Sequence, residues 1–119
     1  MKNNDQIKID LAHFTGTSQY FYHPLYRKFV YTEGVRYLAQ GVGAYWLIEY
    51  IFARQNLGFP EGLQCWEVKL SKENNGATLE VTDGNDNQLD SFKVDYTDFP
   101  FDNFRLWMYN GVLMLPSEW

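Results

Sequence analysis

Apolar positions recur along this chain with two different periods. In residues 5–14, DQIKIDLAHF, Ile7, Leu11 and Phe14 fall at helical spacing behind Asp5, a residue able to cap a helix. The pattern predicts a short amphipathic helix, broken by Thr15-Gly16-Thr17-Ser18. Residues 19–31, QYFYHPLYRKFVY, predict two short strands, Tyr20 to Tyr22 and Phe29 to Tyr31, with Pro24 in the break between them. Thr32 is placed to cap a helix with Val35, Leu38, Ala39 and Val42 on one face; Gly41 and Gly43 interrupt it, and Gly41 is a candidate for the left-handed position that ends a helix. A further helix over residues 44–55 gathers Ala44, Leu47, Ile48 and Ile51, while Tyr45, Trp46, Tyr50 and Phe52 take most of the remaining surface. A helix apolar nearly all round belongs at the centre of a core.

Beyond the loop-like NLGFPEG at 56–62 the period becomes two. Trp66, Val68 and Leu70 alternate with Cys65, Glu67, Lys69 and Ser71. Ala77, Leu79 and Val81 alternate with Thr78, Glu80 and Thr82. Both runs predict antiparallel strands with one polar face. A third strand shows Phe92, Val94 and Tyr96, and Leu89 is out of phase with them. That predicts a bulge near Asp90-Ser91 or a later strand start.

Asn110-Gly111, between Phe104–Tyr109 and Val112–Leu115, is the strongest two-residue hairpin signal. It sets Tyr109 against Val112, Met108 against Leu113, Trp107 against Met114 and Leu106 against Leu115. One side of the ribbon is then Phe104, Leu106, Met108, Leu113 and Leu115. The other is Arg105, Trp107, Tyr109, Val112 and Met114. Both are largely apolar, so the second side calls for cover: burying Trp107, Tyr109, Val112 and Met114 is worth on the order of 10 kcal/mol. Cover could come from the 20–31 segment, a second copy or a partner.

The expected fold class is α+β: N-terminal helices and a short aromatic β-hairpin packed on a C-terminal antiparallel β-meander of about five strands, one domain over residues 1–119. Composition sharpens this. Nine Tyr, nine Phe and four Trp make 18% of the chain aromatic, either a very aromatic core or an aromatic surface awaiting a partner. The net charge of −5 is uneven. Residues 1–60 hold six Lys/Arg and four Asp/Glu, whereas residues 61–119 hold four and eleven. An acidic chain repels phosphate backbones, which disfavours nucleic acid as a partner. Cys65 is the single cysteine, so no disulfide framework exists; the polar start of the chain and the 12-residue limit of its longest apolar run, Val42–Ala53, point to the cytoplasm and to no membrane contact.

Several constellations of side chains are candidate sites. Asp83, Asn85 and Asn87 imitate the first ligands of a calcium loop, but Gln88 and Val94 occupy its glycine and glutamate positions, so a polar hairpin loop is expected. Cys65 with His13 or His23 holds the atoms of a thiol–imidazole pair, although a thiol at a strand start is more often inert. No paired Cys/His spacing suggests zinc. Glu49 is a lone carboxylate in the apolar helix, either buried with a raised pKa or on the face that reaches water near Arg54 or Arg36. Tyr22, His23, Tyr26, Arg27, Lys28, Arg36 and Glu49 form a candidate ligand or anion patch of aromatics and cations. No phosphate loop, nucleophile elbow or internal repeat is present.

FTGT at 14–17, YTEGVRYLAQGVGAYWLIEYI at 31–51 and DFPFDNFRLWMYNGVLMLPSEW at 98–119 together resemble a family of small uncharacterised bacterial proteins, a domain of unknown function often met on plasmids and other mobile elements. The resemblance implies a bacterial, intracellular accessory protein and carries over no catalytic residue.

The leading expectation is therefore a non-catalytic protein-binding or accessory module with no cofactor and no metal. It would engage a protein partner, or itself as a homodimer, through Trp107, Tyr109, Val112 and Met114. The alternative is a small enzyme or anionic-ligand protein built on segment 20–37, with His23, Tyr26, Arg27 and Glu49. A further alternative is an acidic mimic of nucleic acid through Glu67, Glu80, Asp83, Asp86, Asp90 and Asp95.

Overall fold

A computed structural model describes residues 3–55 and 62–119. Most of the loop expected over 56–62 lies outside the described residues. α1 (Asn4–Leu11) buries Ile7 and Leu11. Its cap is Asn3, whose Oδ1 accepts from the Gln6 N–H at 2.8 Å. Asp5, expected in that role, sits in the first turn, where its charge meets the positive end of the helix. Phe14 lies beyond the helix and packs its ring against Tyr37 at 5.4 Å.

β1 (Tyr20–His23) and β2 (Tyr26–Thr32) form the expected hairpin around Pro24-Leu25, with longer strands than the pattern gave. Thr32 caps α2 (Glu33–Val42), its hydroxyl accepting from Val35 N–H at 3.3 Å. Gly43, not Gly41, takes the left-handed conformation that ends α2, with φ 69°. Gly41 stays helical, and the side chain of Ile7 on α1 packs directly over it. α3 (Tyr45–Arg54) buries Leu47, Ile48, Ile51 and Phe52 but leaves Tyr45 exposed, so it lies on the core with one face and is not enclosed by it.

β3 (Gln64–Leu70), β4 (Ala77–Thr82) and β5 (Gln88–Val94) run as an antiparallel meander. Trp66, Val68, Ala77, Leu79 and Val81 are buried on one side. The register of β4 and β5 shifts between Val81, opposite Asp90, and Thr82, opposite Gln88, so Leu89 is the extra residue of a bulge. Tyr96, expected to follow Phe92 and Val94 inward, is 71% exposed because the strand has ended at Val94.

β6 (Phe104–Tyr109) and β7 (Val112–Met114) pair as the turn requires: Tyr109 with Val112, Met108 with Leu113, Trp107 with Met114. Asn110 and Gly111 have φ of 50° and 78°, the two positive values of a type I′ turn. The expected Leu106–Leu115 pair lies past the end of β7 and does not form part of the ladder.

The expected topology needs two corrections. The strands form one sheet in the order β1-β2-β7-β6-β3-β4-β5, so the N-terminal hairpin extends the sheet instead of packing on it. The join is parallel, Val30 beside Val112 and Tyr31 beside Leu113, which makes the sheet mixed. The helices lie on one face, where Val35, Leu38, Ile48, Ile51 and Phe52 meet Trp66, Val68, Leu79, Leu106, Met108 and Leu113 in a continuous core. The fold is α+β.

Candidate functional site

With the helices on one side only, alternate residues of every strand point to an open face. β6 is the central strand, and Arg105, Trp107 and Tyr109 are its open-face residues. Register adds Met114 and Val112 from β7, Val30 beside Val112, and Tyr22 opposite Val30. The expected group Trp107, Tyr109, Val112 and Met114 is thus assembled on one surface, and all four are half-buried. Tyr20 and Tyr22 at the sheet edge are 57% and 58% exposed.

Part of the cover comes from within the chain. Leu115 leads into a 3-10 turn over Pro116–Glu118, and Trp119 then lies edge-on against Trp107 and Tyr109, ring centroids 5.5 and 5.1 Å apart. Glu118 fixes this arrangement. Its buried carboxylate accepts from the Thr32 hydroxyl at 2.6 Å and from the N–H groups of Leu115 at 3.0 Å and Gly34 at 3.2 Å. A Cβ at residue 34 would come within 2.7 Å of Glu118 Oε1, so only glycine leaves room for that carboxylate at the start of α2. The carboxylate completes the capping of α2 and satisfies donors at the helix's positive end. Trp119 itself remains 64% exposed.

The other half of the open face is polar. Glu67 sits in register between Arg105 on β6 and Glu80 on β4. Arg105 Nε lies 3.7 Å from Glu67, and Lys69 Nζ lies 2.8 Å from Glu80. That hydrogen bond and the Glu80 charge raise the Lys69 pKa. Cys65 is half-buried beside Trp107 and Thr82, at a cavity of about 220 Å³ also lined by Glu67, Glu80, Asp86 and Arg105. Burial pushes its thiol pKa up, against a smaller lowering by its hydrogen bond with Thr82. No histidine lines that cavity, so the thiol–imidazole pair is not assembled.

The candidate ligand patch is split into three groups. His23, Tyr26 and Glu49 meet on the helix side: His23 Nε2 is 3.7 Å from Glu49, and the His23 and Tyr26 rings are 5.4 Å apart. His23 Nδ1 accepts from Leu25 N–H at 3.1 Å, which leaves Nε2 to carry the proton of a neutral ring. The Glu49 side chain is 52% exposed and its ion-pair partner is His23, while Arg36 and Arg54 lie over the rings of Phe21 and Tyr50, so the buried-carboxylate option falls away. Arg27 turns to the other side, 6.0 Å above the Tyr22 ring, and Lys28 is exposed next to it. Arg36 lies over Phe21 at 4.5 Å, beside a second cavity of about 220 Å³ whose lining includes Phe14, Gln19, Tyr37 and Gln40. Glu33, which also lines it, is held by the Ser18 hydroxyl at 2.8 Å.

The loop that imitates a calcium site is closed on itself. Asp83 accepts from Asn85 N–H at 2.8 Å and from the Asn87 side chain at 2.9 Å, and these bonds, the Asn87 one foremost, lower its pKa. The carboxylates of the nucleic-acid mimic do not share one row: Glu67 and Glu80 face the open side in ion pairs, whereas Asp90 stands opposite Val81.

Glu118 and Trp119 escaped the sequence reading. The available signal was a carboxylate between Pro116 and Trp119, in a chain whose α2 begins Thr-Glu-Gly and needs acceptors.

The model of a family of unknown function, DUF6876, matches residues 5–119. No curated protein and no solved structure matches the chain.

Proposed function

The chain belongs to the family of unknown function DUF6876, and on that premise we propose that it is a non-catalytic protein-binding module. Its docking surface is the aromatic half of the open sheet face, centred on Trp107, Tyr109, Val112 and Met114. One observation carries this reading: the helices cover a single face, and the middle of the uncovered face is aromatic and, among the described residues, shielded by the exposed Trp119 alone. Large aromatics at the centre of a surface with polar groups around them are what the anchor region of an interface is made of. The resemblance carried by segments 14–17, 31–51 and 98–119 supports its being an accessory protein of a bacterial mobile element, and the lone Cys65 supports a cytoplasmic setting.

The test compares immobilised wild type with a Trp107→Ser/Tyr109→Ser variant of unchanged far-UV spectrum in extract of a bacterial host. A protein retained by wild type and lost by the variant supports the reading. Equal retention by both, or none by wild type, removes it. If the partner is a second copy, light scattering finds a dimer that Trp107→Ser returns to a monomer.

A second reading, a small enzyme or anionic-ligand protein, is favoured by the contact of His23 with Glu49 beside Tyr26. Arg27, the cation it relied on, faces away. Titration with simple carboxylates and phosphates, followed through the His23 ring signals, decides it; unmoved signals dismiss it.

A further inference from the structure

The β1–β2 hairpin ends in an exposed apolar turn. Leu25, in the turn with Pro24, is 74% exposed, more than any other large hydrophobic residue among those described, and Tyr20 and Tyr22 behind it are also more than half exposed. The two strands are unequal beyond the turn. Tyr22 pairs with Val30 and His23 with Tyr26, so Arg27, Lys28 and Phe29 are extra residues on β2. Phe29 turns its ring to Phe52 in the core, centroids 5.5 Å apart. With Phe29 pinned there, the bulge leaves Arg27 and Lys28 exposed. Turn and bulge together enclose a cavity of about 440 Å³ lined by Pro24 to Phe29.

Charge says what this turn would meet. Arg27 and Lys28 stand at the cavity wall in no ion pair among the described residues, and no Asp or Glu lines it. Glu49, which meets His23, is not part of that lining. Residues 20–32 hold these two cations and no acid, whereas residues 64–94 hold three Lys/Arg and six Asp/Glu. The hairpin is one end of the sheet and β3–β5 the other, so the charge gradient along the sheet turns the hairpin toward an anionic surface. An apolar apex with cations and tyrosines behind it matches the outer layer of a bilayer, where hydrocarbon takes the apolar side chain, phosphate takes the cations and tyrosine rings sit at the boundary. A folded protein fits less well, since a stable interface covers roughly 800 Å² per partner, far more than a two-residue turn offers, whereas fluid lipid closes around it. A second copy would bring the same cations together. No helix among the described residues is long and apolar enough to cross a membrane, and a contact at the surface needs none. The expected absence of membrane contact rests on the length of apolar runs, which does not bear on such a contact.

We propose that the β1–β2 turn docks on the surface of an anionic phospholipid bilayer, with Leu25 entering the outer hydrocarbon and Arg27 and Lys28 holding lipid phosphates at the 440 Å³ cavity. This site lies at the free end of the hairpin, apart from the Trp107 centre, and the two are tested apart.

The probe is sedimentation of the whole chain with vesicles of phosphatidylglycerol, compared with vesicles of phosphatidylcholine. Binding to the anionic vesicles is expected, at least about tenfold weaker on the zwitterionic ones and weakened by salt. Leu25→Ser and the double variant Arg27→Gln/Lys28→Gln change exposed side chains only, and each should bind at least about tenfold more weakly with an unchanged far-UV spectrum. Trp107→Ser should bind as wild type does. Free glycerol phosphate and a thymidine oligonucleotide, titrated into the isotope-labelled chain, should leave the Leu25–Lys28 amide signals in place at concentrations where the vesicles are bound. The proposal is overturned if wild type stays in solution, if both kinds of vesicle bind it equally, or if Leu25→Ser binds as wild type does, which would leave charge without insertion. Movement of those signals by glycerol phosphate would make this a site for free phosphate, and movement by the oligonucleotide a site for nucleic acid. Either result overturns it, as does loss of vesicle binding in Trp107→Ser, which would transfer the contact to the open face.

Discussion

The two halves of the open face belong to one sheet and face the same way, yet they are finished differently. Across β3, β4 and β5 the surface is a ladder of partners, Glu67 with Arg105 and Glu80 with Lys69, and its thiol is half-buried between neighbours. Across β6, β7, β2 and β1 it is aromatic and aliphatic, with Arg27 and Lys28 in no ion pair among the described residues and one tryptophan laid across it. A surface made for water alone has the first design. The second leaves side chains whose burial would release free energy, the usual condition of a docking surface.

The largest expected effect tests whether the aromatic half is surface at all. Leu113 and Met114 are neighbours on β7, one fully buried on the helix side and the other half-buried on the open side. Leu113→Ala should cost about 3 kcal/mol in denaturant unfolding and Met114→Ala less than about 1. Similar costs would mean that the open side is packed as tightly as the core. Next in size is Glu118→Ala, which strands the Thr32 hydroxyl and the Leu115 and Gly34 N–H groups; a loss of about 2 kcal/mol is expected, with Trp119 fluorescence shifted to the red. Unchanged fluorescence would show that Trp119 keeps its place without the carboxylate. Lys69→Ala, on the polar half, should leave the melting temperature within about 2 °C, because exposed ion pairs contribute little.

The smallest effect concerns Cys65. With its pKa raised by burial, it should react with iodoacetamide at pH 8 more slowly than free glutathione does, since the thiolate is the nucleophile. The sign for stability follows. The folded state holds the thiol proton to higher pH than the unfolded chain does, so its contribution is complete below the free-thiol pKa. It fades as pH rises beyond that value. Cys65→Ser should flatten that decline; an unaltered alkaline limb would assign it to other groups, such as Tyr31, whose pKa burial also raises.

Local chemistry was legible in the sequence and distant pairing was not. The Thr32 cap, the Asn110-Gly111 register and the alternation of β3 and β4 each depend on residues within a few positions of one another, and each appears as expected, apart from the Leu106–Leu115 pair at the far end of the ribbon. Asn3 and Asp5 can both cap a helix, and only backbone geometry separates them. The parallel contact of β2 with β7 has no local signature, so the hairpin was placed on the sheet instead of in it. The same limit hid Glu118, whose partners Thr32 and Gly34 lie 86 and 84 positions away. Of the candidate site, the Trp107 face was readable because a two-residue turn dictates it. The cation patch was not, since a hairpin with extra residues on one strand sends Arg27 and His23 to opposite sides.

That parallel contact also orders events in time. Strands β3 to β5 can zip together through short turns, whereas β2 finds β7 only after nearly the whole chain has been drawn into a ring, a slower search. The aromatic half is therefore completed late: the β6–β7 ribbon and the β1–β2 hairpin each close through a short turn, but they join only when the ring shuts.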